Sequence, residues 1–271
     1  NKFFFIFVAL FILFLSYLLI PNIHDEFQIR KKFNNQLLNS YNLQFNLPLN
    51  VKYNFFPRPH FTYENVTILE DQNEISKIKK LKIYVSLDNL FSIENIRFND
   101  IIIENANFNL DSRTYNFFIK LLDKNFKEKT LVVKDSNIFF RNSDNEVLYI
   151  NKIIKMKYNY DLKDLRNILT ARNKIFNLNY SFELYNDKIK KKYFSKLNIN
   201  FFKLQIMNEI DYMEQIKKGS ANIIVKNNKS RANYELRNNS FTFNFFNKLD
   251  FEDFSYNGNI NFKPFYSDIT G

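Results

Sequence analysis

Few side chains in this chain could do chemistry, and their spacing restricts them further. Its 271 residues include two histidines, His24 and His60, and no cysteine. A zinc site needs three or four His, Cys or carboxylate ligands within reach of one another. Neither histidine has a partner at ligand spacing, so both read as surface or packing residues, and no metal ligand is assigned. Without cysteine there is no thiolate nucleophile and no disulfide. The acidic pairs Asp25-Glu26, Glu70-Asp71 and Glu252-Asp253 fall at predicted turns or helix starts, where carboxylates are solvated rather than poised for acid–base work. Three glycines cannot build a phosphate-cradling Gly-rich loop. No GxSxG, HExxH or kinase-type set occurs. These residues give no catalytic assignment, no enzyme and no cofactor.

The bulk composition is lopsided. Phe is 33, Tyr 16 and Trp zero, and 39 Lys and Arg against 28 Asp and Glu leave a net charge of +11. Such a charge raises the question of nucleic acid. Lys and Glu are interspersed, however, Arg is scarce, and no basic stripe accompanies a recognisable nucleic-acid motif. The excess of Lys, Asn, Phe, Ile and Tyr matches codons rich in A and T. The charge therefore reads as solvated faces, with a mild attraction to anionic lipid headgroups as its residual consequence. Asn-x-Ser/Thr sequons at Asn65, Asn228 and Asn238 are what an Asn-rich chain produces by chance.

The elements that would position any site begin with an uncharged apolar run, FFFIFVALFILFLSYLLI, residues 3–20. At about 1.5 Å per residue it extends roughly 27 Å, close to the hydrocarbon thickness of a bilayer. It is longer than the apolar region of a secretory signal and lacks a small-residue cleavage site. Residues 1–21 are therefore expected to form an uncleaved transmembrane signal anchor. Lys2 precedes it and Arg30, Lys31 and Lys32 follow it, so flanking charge gives no clear orientation. Residues 22–41 read as an amphipathic helix with Ile23, Phe27, Phe33, Leu37 and Tyr41 along one face and Asn22 as its cap.

From residue 42 to 271 a period of two dominates, as expected of one continuous β-rich domain. Leu81, Ile83, Val85 and Leu87 alternate with Lys82, Tyr84 and Ser86. Ala106, Phe108 and Leu110 repeat the pattern. So do Leu178, Tyr180, Phe182 and Leu184, then Leu197, Ile199 and Phe201, then Phe241, Phe243 and Phe245, and finally Ile260 and Phe262. Residues 113–126 show helical spacing at Phe117, Leu121 and Leu122, and 161–169 read as a short helix or a loop. The ending at Asp268–Gly271, just after a strand-like pattern, suggests a protein that continues further. The fold class is mainly β with few helices: a transmembrane helix, then a long curved antiparallel sheet. One apolar face of such a sheet must be covered. A β-sandwich would do so with a second sheet, a barrel by closure. An open groove would leave the face to a ligand with apolar tails. Periodicity does not choose among these.

One stretch breaks the alternation. NFFPRPHF, residues 54–61, puts Pro57 and Pro59 between two strand-like segments. Proline cannot donate to a ladder and biases the preceding residue toward extended backbone, so a stiff, non-pairing jog is expected. An apolar anchor, a helix, VKYNFFPRPHFTYENVTIL, a Leu90-Phe91-Ser92 turn and an ending with Ile103, Ala106, Phe108 and Leu110 follow in that order. This set resembles the start of AsmA-like proteins of the Gram-negative envelope, over about residues 1–111. Phe55, Phe56, Pro57 and Pro59 are its marker.

The resemblance implies an inner-membrane anchor with the bulk of the chain in the periplasm. It also implies a repeating β-groove of the lipid-transfer type, acting in phospholipid movement toward the outer membrane and in outer-membrane assembly. The implied partners are phospholipid, the inner membrane and outer-membrane or envelope proteins, with no nucleic acid. Candidate floor residues are Ile83, Val85, Leu87, Phe108, Leu110, Phe182, Leu184, Ile199 and Phe201. For each, ordinary core beneath a helix or second sheet is an equally good reading. A non-catalytic scaffold or regulator of outer-membrane protein assembly is the alternative function.

Overall fold

A computed structural model describes residues 2–41, 43–70, 73–88, 90–111, 129–142, 144–187, 189–211, 216–249, 252–262 and 264–271. The helical reading of 113–126 lies outside them. The protein is mainly β, with an N-terminal apolar helix and sixteen strands among the described residues. It divides into two compact units, Asn1–Tyr160 and Asp161–Gly271. The boundary falls inside the stretch that periodicity reads as continuous, and no Gly or Pro marks it.

The first unit opens with α1 (Lys2–Leu19), a 3-10 turn at Ile20–Ile23 that holds Pro21, and α2 (Glu26–Tyr41). Lys2–Ile23 is long and apolar enough to cross a membrane, and almost none of it is buried within the protein. The cap of α2 is Asp25, whose Oδ1 accepts from the Gln28 amide at 2.9 Å, and not Asn22, which lies within the 3-10 turn. The buried stripe of α2 is Ile29, Phe33, Leu37 and Tyr41, a four-residue spacing that keeps one face inward. Ile23 and Phe27, expected on that face, are exposed.

Seven strands follow: β1 (Gln44–Asn46), β2 (Lys52–Asn54), β3 (His60–Glu70), β4 (Asn73–Val85), β5 (Phe98–Leu110), β6 (Thr130–Arg141) and β7 (Val147–Asp161). They pair in the order β1-β3-β4-β5-β6-β7, with β2 also on β3. The sheet is open and mixed. Each pair is antiparallel except β5/β6, which is parallel, a departure from the all-antiparallel expectation. Parallel neighbours need a long crossover, and residues 111–129 separate these two.

Helix α2 crosses the strands at one end. Phe33 packs on Phe61 of β3 at 5.1 Å between ring centroids, and Tyr41 on Phe98 of β5 at 5.8 Å. Beneath it Phe61, Tyr63, Leu81, Ile83, Ile101 and Ile103 are buried.

A row of irregular positions crosses this sheet. Buried positions step by two along each strand and then by three, from Tyr63 to Val66, Ile78 to Leu81, Ile103 to Ala106 and Val133 to Ser136. The strand register is continuous through the step, so the extra residues lie in line: Asn65 opposite Lys79, opposite Asn105, beside Asp135. Asn65, Asn105 and Asp135 have φ of 57°, 54° and 47°, the left-handed region that Asn and Asp tolerate better than other side chains. The buried Ser136 hydroxyl accepts from the Ala106 amide at 2.9 Å and donates to Lys134 O at 2.7 Å, replacing ladder bonds at the break. The register shifts of this sheet, where a bulge can bend a strand and increase its twist, lie elsewhere, at Ile68/Leu69, Tyr84/Val85 and Phe140/Arg141.

The second unit is a meander of β8 (Arg166–Ile175), β9 (Leu178–Asp187), β10 (Lys192–Ile199), β11 (Leu204–Asp211), β12 (Lys217–Val225), β13 (Asn228–Leu236), β14 (Ser240–Leu249), β15 (Glu252–Phe262) and β16 (Phe265–Thr270). Each strand pairs antiparallel with the next. Residues 162–165 form a turn, which decides the 161–169 segment in favour of turn and strand. Phe176 and Asn177 close the β8–β9 hairpin, both with positive φ, as a two-residue turn of matching twist requires.

Candidate functional site

Directly opposed residues of an antiparallel pair share a face, so the registers sort the second unit's side chains. Ala171 opposes Phe182, Phe182 opposes Leu197, Leu197 opposes Ile206, and Ile206 opposes Ile223. The same face continues through Ala221 and Ala232, then Tyr234 and Phe243, and Phe241 and Ile260. Nine strands at about 4.8 Å make this apolar surface roughly 38 Å across. The other face carries Arg172, Glu183, Lys196, Asn198, Gln205, Glu209, Lys218, Arg231 and Glu235. There Lys192 pairs with Glu209 at 3.1 Å and Lys218 with Glu235 at 3.9 Å, and Gln205 donates to Asn198 at 2.8 Å.

Among the described residues of this unit, no helix or second sheet covers the apolar face. Among the described residues of the unit, the only buried side chains are Asn167, Ala171, Asn173 and Ala221. The large apolar residues, Phe182, Leu184, Leu197, Ile206, Ile223 and Phe243, are half-buried. They pack sideways on their neighbours and are open from above. A sandwich within this unit would have sealed them.

Two hydrogen bonds join polar groups on the apolar face. Tyr234 Oη donates to Asn208 Oδ1 at 2.7 Å, and Asn173 donates to Tyr180 Oη at 3.1 Å. Burial raises the Tyr234 pKa, partly offset by that bond to Asn208. The rings lie flat over glycine: a Cβ on Gly219 would come within 2.2 Å of Tyr234, and one on Gly258 within 2.4 Å of Phe243. Two of the chain's three glycines thus let aromatic rings pave the surface, which the strand pattern did not reveal. The available signal was a Gly inside an otherwise regular strand, a mark of close approach.

Of the nine predicted floor residues, the structure brings three together on this open face: Phe182, Leu184 and Ile199. Phe201 is not on the strand; it sits in a 3-10 turn at Asn200–Phe202, 78% exposed. In the first unit Ile83, Val85 and Phe108 are buried. Ile83 and Val85 are core beneath α2, since Ile83 opposes Phe61 and Val85 opposes Phe98, the two rings that α2 covers. Leu87 lies past the end of β4, in an exposed loop. Leu110 ends β5 half-buried. What sequence reasoning missed here is coverage, because α2 is distant in sequence from the strands it seals.

The Phe55, Phe56, Pro57, Pro59 element, expected as a non-pairing jog between two strand-like segments, is the connection of a hairpin, since Lys52, Tyr53 and Asn54 pair with Thr62, Phe61 and His60. The Phe56–Pro57 peptide is cis. Arg58 pairs with Asp100 at 3.2 Å and lies over the Tyr84 ring at 4.5 Å. His60 is buried, stacks on Tyr84 at 4.9 Å, and bonds Arg58 O through Nδ1 at 2.8 Å. His24 Nε2 bonds Leu90 O at 3.0 Å. Both histidines are thus engaged with backbone carbonyls.

No family model and no curated protein matches the chain.

Proposed function

We propose that this protein is a non-catalytic, membrane-anchored β-groove protein that carries phospholipid between the inner and outer membranes, in the manner of AsmA-like proteins, with most of its mass in the periplasm. The observation that carries this reading is the uncovered apolar face of β8–β16, backed by a charged and hydrogen-bonded opposite face. Acyl chains lie on the aromatic floor while headgroups remain in water. At about 25 cal/mol per Å² of apolar surface removed from water, lipid is held without demanding a particular headgroup. Helix α1, long and apolar enough to span a bilayer, is the tether. The ordered set of anchor, FFPRP and LFS turn supports the AsmA-like assignment and, through it, the envelope setting.

The test is photocrosslinking in cells from Phe182 and Ile206 on the open face, with Asn222 on the opposite face and Ile83 in the sealed core as controls. Phospholipid adducts at the first two and not at the controls are expected. Protein adducts alone at Phe182 and Ile206 overturn the reading and favour a scaffold for outer-membrane protein assembly. The fully packed core of the first unit is the feature that suits that second function.

A further inference from the structure

The exit of α1 from its apolar span is ringed by loops that the fold holds in place. Tyr17, in the last turns of α1, donates its hydroxyl to Leu87 O and accepts from the Leu90 amide at 3.2 Å. Its ring lies 4.8 Å from that of Phe91. Tyr53, at the start of the FFPRP hairpin, donates to Leu18 O at 2.8 Å, and that neighbourhood, burial first and Tyr17 second, pushes its pKa up to about 12. Along α2, Lys32 donates to Glu94 O, and Gln36 donates to Ile96 O at 2.6 Å while accepting from the Phe98 amide at 3.2 Å. The 86–97 loop is therefore strapped to both helices.

These pinned loops display apolar side chains that nothing in the unit covers. Phe56 is 79% exposed and Phe91 70%, and Phe55, Leu87, Leu19 and Ile23 are exposed as well. Exposed large apolar residues scattered singly need no explanation, whereas a cluster does. This cluster begins where an apolar helix of membrane-spanning length ends. Tyr17 and Tyr53 at that level are of the type the bilayer interface enriches, and Phe and Leu beside them are what an interfacial segment buries at the headgroup boundary. The nearby cations Arg58 and Lys52 are engaged by Asp100 and Glu64, so the surface is apolar in character rather than basic.

We infer that the FFPRP hairpin and the 86–97 loop insert Phe55, Phe56, Leu87 and Phe91 into the interface of the leaflet from which α1 emerges, seating the first unit directly on the membrane. This rests on α1 crossing the bilayer, and the experiment separates the two claims. The chain has no tryptophan, so Phe11→Trp, Phe56→Trp and Phe91→Trp each create a sole reporter in these 271 residues, reconstituted in phosphatidylcholine–phosphatidylethanolamine vesicles. Lipids brominated at a shallow or a deep acyl position quench at known depth. The expected result is F11W quenched by deep bromines, and F56W and F91W blue-shifted and quenched most by shallow bromines. F11W quenched while F56W and F91W keep water-like, unquenched emission overturns the seating and leaves the span intact. F11W unquenched overturns both.

Discussion

The two units meet the same requirement in opposite ways. Each has a sheet with one apolar face. In the first, α2 lies across that face, and Phe61, Tyr63, Leu81 and Ile83 are sealed. In the second, nine strands alternate with equal regularity, yet Phe182, Leu184 and Ile206 remain half-buried. The first unit also shifts register at Ile68/Leu69, Tyr84/Val85 and Phe140/Arg141, while the second keeps unbroken registers across its hairpins. The difference teaches that apolar alternation reports a face and does not report a core. A sealed face supplies stability; an open one supplies a surface on which something else can lie.

That contrast breaks first under a buried charge. Ile83→Asp should cost at least 3 kcal/mol, as an unpaired charge in a packed core does, and chemical denaturation should show the first unit unfolding early. Phe182→Asp, on the open face, should shift the denaturation midpoint little and abolish lipid adducts from Ile206. Equal destabilisation by the two would mean that the second face is covered.

Truncation sharpens the same point more gently. Leu37→Ala removes a fully buried side chain from α2 and should cost about 2–5 kcal/mol. Leu197→Ala should cost less than half as much in parallel urea titrations.

At the row of left-handed residues, Asn65→Val places a β-branched residue at positive φ and should lose roughly 1–2 kcal/mol. Asn65→Gly should be near neutral; a large loss from Gly would show that the side chain, not the backbone, holds the row. In the hairpin, replacing Pro57 and Pro59 with Ala should cost about 0.5–1 kcal/mol through a freer unfolded chain. Unchanged thermal unfolding would make the element a marker only.

Alkaline pH gives the smallest effect. Burial raises the pKa of Tyr41 and Tyr63 in the first unit. The unfolded chain releases these protons near pH 10 while the native state retains them. Stability is therefore full below about pH 10 and declines above it. Hydrogen exchange should show the first unit loosening there, and a Tyr63→Phe variant should lose part of that dependence.

Several elements were legible in the residues. The apolar run of α1, the Phe33-Leu37-Tyr41 stripe and the strands of the second unit follow from periods of 3.6 and 2, which are local properties of backbone geometry. The spacing Ile103 to Ala106, read first as part of a family pattern, holds a left-handed residue, Asn105. It recurs as Tyr63-Glu64-Asn65-Val66 and Val133-Lys134-Asp135-Ser136, an apolar residue, a charged one, Asn or Asp, then a small or branched one. The signal was present and needed the register to be recognised.

By itself, then, the sequence determined which residues are apolar, on which side of each strand they fall, and that the chain begins with a helix of membrane-spanning length. Only the tertiary structure decided which apolar face is closed. The parallel β5/β6 pair, the alignment of the left-handed residues Asn65, Asn105 and Asp135, the strapping of the 86–97 loop to α1 and α2, and the packing of Phe33 on Phe61 all depend on segments distant along the chain. Periodicity records a residue's orientation within its own element; burial is set by whatever arrives from elsewhere.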